Sequence, residues 1–88
     1  MQIKSDFTIQ KVGNSYVAVA VGETSKIFHA MIKLNETGAF LWNQLAEKDM
    51  TEEELTNALL AEYDVDRETA AKDVHAMVEK FAENGILR

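Results

Sequence analysis

Ile32-Lys33-Leu34-Asn35-Glu36-Thr37-Gly38-Ala39-Phe40-Leu41-Trp42 holds the point where this chain changes from strand to helix. Upstream of Asn35 the side chains alternate with a period of two. Downstream they follow helical spacing, with Leu41, Trp42 and Leu45 on one stripe. Asn35 is the residue type that caps a helix, because its short side chain can accept from the unpaired amides of the first turn. A strand that ends on a core anchor, Leu34, and then a cap predicts a sheet joined to a helix with almost no loop.

Working outward toward the start, roughly Ile27 to Leu34 reads as a third strand, with Phe28, Ala30, Ile32 and Leu34 on its core face and Ile27, His29, Met31 and Lys33 on the other. Gly22-Glu23-Thr24-Ser25-Lys26 reads as a loop. Before it, Ser15 to Val21 is apolar on both faces, as a middle strand is. Gly13-Asn14 is a hairpin signal, and Phe7 and Ile9 alternate with Thr8 and Gln10 in a first strand ending near Val12.

Working outward toward the end, each helix has a start signal. Asn35 opens the first, to about Ala46. Thr51 with Glu54 forms a capping-box pattern for a second, about Glu52 to Glu62, and Asp66 caps a third, about Arg67 to Glu83. The residues before the caps, Leu34, Met50 and Val65, can staple onto Ala39, Leu55 and Ala70, and Gly85 stands where a left-handed terminator is expected. Inward stripes are Leu41, Trp42 and Leu45, then Leu55, Ala58 and Leu59, then Ala70, Val74, Met77, Val78 and Phe81. These patterns predict an α+β fold, a three-stranded antiparallel sheet followed by a three-helix bundle, winged-helix-like, in one domain over residues 1–88.

Composition narrows the function classes. The 88 residues contain no cysteine, so disulfides and thiolate metal sites are excluded. No stretch is long and apolar enough to span a bilayer and the start lacks a signal-peptide core, which predicts a cytoplasmic protein. The formal charge of −6 is uneven: residues 1–48 are near +1 and residues 49–88 near −7. His29 and His75 fall on different predicted elements, with no HExxH spacing or phosphate loop, and Glu52-Glu53-Glu54 sits at a helix start where the dipole favours acids. No enzyme, cofactor or metal site is expected.

The predicted second and third helices could be laid out as a helix-turn-helix, making a winged-helix DNA-associated regulator the alternative reading. The third helix, however, carries Asp66, Glu68, Asp73, Glu79 and Glu83 rather than a row of base-reading side chains, and such charge repels phosphate. The third strand has a different interest. In a meander it lies at an edge and presents unpaired backbone groups, yet it contains no proline and its charges, Lys26 and Lys33, lie at its ends. Such an edge is covered by the protein itself or by a second copy in a homodimer, or it stays open for an extended peptide. An Ala30→Pro substitution separates these cases: it weakens peptide binding if that amide faces a ligand, and lowers stability if the amide pairs with strand two.

Leu34-Asn35-Glu36-Thr37, Trp42, Glu53-Glu54-Leu55, Ala61-Glu62-Tyr63-Asp64-Val65, Lys72-Asp73-Val74 and Glu83-Asn84-Gly85-Ile86-Leu87, in that order and spacing, resemble the PqqD-like family, also called RiPP recognition elements. The resemblance runs from the strand near Phe7 to Ile86-Leu87. One departure is Asp49-Met50, where many relatives have Asp-Gly. The resemblance implies a non-catalytic peptide chaperone. It would bind the leader segment of a ribosomally made precursor peptide as an added strand beside strand three, in a groove shared with helix three, and present it to a modifying enzyme, often a radical-SAM protein. Carried onto this chain, the peptide-binding residues would be Ile27, Phe28, His29, Ala30, Met31, Ile32 and Lys33. Helical spacing and the resemblance together add Asp73, Ala76, Met77 and Lys80, with Phe81 at the floor.

Overall fold

The computed structural model of the chain describes residues 1–22 and 32–88. Its elements run β1 (Phe7–Val12), β2 (Ser15–Ala20), β3 (Ile32–Leu34), α1 (Glu36–Glu47), α2 (Glu52–Glu62) and α3 (Arg67–Glu83). The sheet is antiparallel with order β1-β2-β3, so β2 is central, as its two apolar faces require. Ile32 and Leu34 are buried and Lys33 is exposed, which places the two sides of β3 as its alternation predicts. The part of the expected third strand before Ile32 lies outside the described residues.

Local chemistry explains the helix boundaries. The Asn35 side chain accepts from the Gly38 amide at 2.8 Å. Thr51 and Glu54 form a reciprocal capping box at 3.1 and 2.9 Å, and Asp66 accepts from the Thr69 amide at 3.0 Å. Each bond satisfies an amide that the helix itself leaves unpaired. The hydrogen bond to Thr69 also holds the Asp66 carboxyl below the usual carboxylate range. At the other end of α3, the Ile86 amide reaches back to the Phe81 carbonyl and the Gly85 amide to that of Ala82, both at 3.1 Å. This is a Schellman closure, and Gly85 supplies the left-handed residue it needs at φ 68°.

One side of the sheet takes Phe7, Ala18, Ile32 and Leu34 into the core, where they meet Leu41, Trp42, Leu45, Leu55, Leu59, Ala70, Val74, Phe81 and Ile86. Trp42 and Phe81 meet edge to face, with ring centroids 5.3 Å apart and planes at 88°. The core side chains of β2 are small where the helices approach, notably Ala18. Two of the expected staples have both members buried, Leu34 with Ala39 and Met50 with Leu55. The third does not close, because Val65 remains exposed above buried Ala70. The backbone of Met50 needs no positive φ: the residue is a buried anchor whose amide bonds the Met1 carbonyl at 2.8 Å.

The first residues do more than the sequence pattern suggests. Ile3 is buried and bridges antiparallel to Leu87. Its amide bonds the Leu45 carbonyl at 3.0 Å, while the Lys4 amide bonds Ile86 at 2.9 Å and the Arg88 amide bonds Gln2 at 2.9 Å. The two ends of the described chain therefore close over the bottom of the core together.

His75 ties α2 to α3. Its Nδ1 lies 3.0 Å from a Glu52 carboxylate oxygen and its Nε2 lies 3.1 Å from one of Glu79. The bond to Glu52, then the charges of Glu52 and Glu79, raise the histidine above its ordinary value. A raised folded-state pKa means the contribution is complete below the unfolded value, about 6.5, and is lost as pH rises through the folded value. Thermal melts should show native protein losing stability across that upper window, while His75→Gln shows no such loss. Parallel melting curves for the two proteins would remove the assignment.

Candidate functional site: the β3 edge and the α3 flank

The direction of each backbone group in β3 follows from the hairpin. Val12 pairs with Ser15 across the two-residue turn Gly13-Asn14, so this closing pair exchanges hydrogen bonds. Alternation then gives bonded pairs at Gln10–Val17 and Thr8–Val19 and turns Tyr16 and Ala18 toward β3. Tyr16 lies opposite Leu34, and Ala18 opposite Ile32, whereas Val17 lies opposite Lys33. The Lys33 amide and carbonyl therefore point away from β2, at the outer edge of the sheet. The Lys80 ammonium of α3 meets that carbonyl, donating at 3.2 Å.

Two clefts border this edge. One, of about 420 Å³, is lined by Asn14, Ser15, Lys33, Leu34, Asn35, Glu36, Met77 and Lys80. The other, of about 160 Å³, is lined by Asn35, Thr37, Gly38, Leu41, Asp73, Ala76 and Met77. They share Asn35 and Met77, so the groove runs from the end of β3 along α3 past the start of α1. Asp73, Ala76, Met77 and Lys80 sit at i, i+3, i+4 and i+7, one face of a helix. Asp73 and Lys80 are about 10 Å apart along the axis, at 1.5 Å per residue.

The residues singled out from sequence fall into distinct places. Lys33 and Lys80 line the larger cleft, Asp73 and Ala76 the smaller, and Met77 both. Ile32 faces the core, and Phe81 is fully buried against Trp42, beneath the groove and outside its walls. Ile27, Phe28, His29, Ala30 and Met31 lie outside the described residues. The wall from α1 was not among the expected residues. It exists because Gly38 lets α1 approach α3: a Cβ there would lie 2.9 Å from Met77 Cε and 3.2 Å from Asn35 Oδ1. A glycine in the first turn of a helix was the available signal, since it costs helix stability and calls for a packing reason.

The exposed side of α3 carries Glu68, Asp73, Glu79 and Glu83, so the duplex-binding reading finds no support in its charge. Among the described residues no group of His, Asp or Glu side chains is placed to hold a metal. No helix of the described residues is long and apolar enough to cross a membrane.

Sequence comparison matches residues 16–87 to the family of coenzyme PQQ synthesis protein D, PqqD. The chain belongs to the PqqD family. That match runs from Tyr16 in β2 past the Schellman closure and includes the whole smaller cleft and all of the larger one except Asn14 and Ser15. No curated protein sequence matches significantly. Among solved structures, the fold is similar to TbiB1 in complex with the TbiA(beta) leader peptide, with a TM-score of 0.74 and 25% identity over 100% of this chain and 95% of that one. It is also similar to a lasso peptide synthetase B1 complexed with the leader peptide, with a TM-score of 0.70 and 22% identity over 97% of this chain and 93% of that one. The second likeness is one of fold. Within the PqqD family, this chain thus combines the shared fold with an outward-facing backbone position at Lys33.

Proposed function

We propose that this protein is a non-catalytic recognition module that binds the leader segment of a ribosomally made precursor peptide. The leader would add as a strand at the outer edge of β3, lie in the groove walled by α3 and the start of α1, and be presented to a modifying enzyme, in many such pathways a radical-SAM protein. It would work in the cytoplasm, where precursors are made. The observation that carries this reading is the Lys33 backbone, turned outward beside a groove and, among the described residues, met there by the Lys80 ammonium. Support also comes from TbiB1, which was solved with a leader peptide bound.

Energetics permit it. Four to six added backbone hydrogen bonds contribute about 0.5–1.5 kcal/mol each, and an apolar side chain fully buried about 1.5–3 kcal/mol. Losses of translational and side-chain freedom offset much of that sum, which leaves affinities near micromolar within reach.

The test is titration of the protein with synthetic leader peptides of precursors encoded beside its gene, followed through backbone amide shifts. Perturbations should concentrate on Lys33, Leu34, Asn35 and the 73–80 flank of α3. Binding whose shifts map elsewhere would remove the groove, and no binding by any such leader would remove the reading.

A further inference from the structure

We infer that this protein selects leaders carrying an aspartate or glutamate at the position that leaves the end of β3, where the carboxylate becomes the partner of Lys80. The inference rests on the leader-binding reading and adds a specificity to it.

It starts from an imbalance. The chain is strongly acidic, at −6, yet two lysines, Lys33 and Lys80, line the same cleft. Among the described residues neither belongs to an ion pair, whereas Lys72 has Glu68 at 3.5 Å. The carboxylate on the cleft wall, Glu36, is within ion-pair distance of neither lysine. The other polar groups there lean toward donation. The Asn35 oxygen is already engaged by the Gly38 amide and the Thr37 hydroxyl, at 2.8 and 3.1 Å, so its amide NH₂ remains to donate.

Strand addition makes the imbalance consequential. An incoming backbone N–H needs the Lys33 carbonyl, to which Lys80 already donates at 3.2 Å. That oxygen has two lone pairs and can accept from both, but sharing weakens the Lys80 bond and the peptide strips water from around the ammonium, which costs affinity. A carboxylate from the ligand offsets that cost, since it pairs with the ammonium while the carbonyl receives the strand. About 10 Å along the helix, Asp73 disfavours an acidic side chain at the other end of the groove, which sets the direction of the leader.

The experiment takes the tightest-binding synthetic leader from the titration above and replaces each Asp or Glu singly by Asn or Gln. Each peptide is measured by fluorescence anisotropy against the native protein and Lys80→Gln, a surface change whose fold is checked by thermal melting. One amidation should weaken native binding about five- to tenfold, Lys80→Gln should cost a similar factor, and the two together should cost no more than either. Lys80→Glu should then prefer the leader with lysine at that position. Effects of Lys80→Gln that multiply with those of every amidation, or no sensitive acid in a leader that binds well, would overturn the inference and leave leader binding standing. Failure of every leader to bind native protein would instead remove the proposed function and this inference with it.

Discussion

Phe81→Ala is expected to lower the unfolding free energy by about 3–5 kcal/mol, a large share of the total for a domain of this size. Phe81 is fully buried, and its ring meets Trp42 edge to face at 5.3 Å. Truncation removes apolar area from the core and also the aromatic pair, which contributes about 0.5–1.5 kcal/mol beyond its area. Collapse of the cavity is opposed on several sides, because Leu41, Leu45, Leu55, Leu59, Val74 and Ile86 are themselves fully or almost fully buried in the same cluster. The position also belongs to the Schellman closure, where its carbonyl accepts from Ile86 and the Ile86 side chain lies in the core. Loosening it would reach the Ile3–Leu87 bridge, which lies on the same terminus. Urea denaturation of native protein, Phe81→Leu and Phe81→Ala measures the effect, with the leucine variant losing about a third as much. A loss below about 1 kcal/mol for the alanine variant would mean that the core refills the space, and the packing described for α3 would be wrong.

The contrast between helices and groove shows what the sequence makes legible. Asn35, Thr51 and Asp66 act on amides three residues away, so their roles are contained in a short window and all three hydrogen bonds are present. Gly85 is legible for the same reason. Ile3 was not, because its place depends on the carbonyl of Leu45 and on a bridge to Leu87, distant in sequence, and nothing periodic surrounds it. Val65 shows the opposite failure: the local staple pattern is present, but the turn after α2 leaves the side chain outside.

The site divides along the same line. Helical spacing brings Asp73, Ala76, Met77 and Lys80 to one flank. It says nothing about what faces them, and the close approach of Gly38 to Met77 is a tertiary fact. The parity of the β3 edge was also hidden. The two-residue turn sets which groups of β2 turn outward from β1, but only the pairing of Tyr16 with Leu34 carries that parity onto β3. The sequence therefore left the direction of the Ala30 amide open, and Ala30 lies outside the described residues, while the register turns the amide of Lys33, also among the expected residues, outward.

Lys33→Pro is accordingly expected to weaken leader binding about 10- to 100-fold with little change in stability. Proline removes the outward amide and sets its ring where an added strand would lie, so it deletes a hydrogen bond and obstructs the neighbouring ones. Within the sheet it removes nothing, because Lys33 sits opposite Val17 in a pair that exchanges no hydrogen bonds. Edge positions whose amides face outward are where strands accept proline, and the restriction proline places on Ile32 favours the extended backbone already present there. The melting temperature should thus stay close to native. Lys33→Ala is the control: it keeps the backbone donor, removes only the side chain, and should cost a few-fold at most. Isothermal titration of native protein and both variants, with melts alongside, separates the terms. Native affinity in a folded Lys33→Pro protein would show that the leader does not pair with this edge. A matched loss of affinity and stability would show instead that the Lys33 amide bonds within the sheet, contrary to the register that the hairpin imposes.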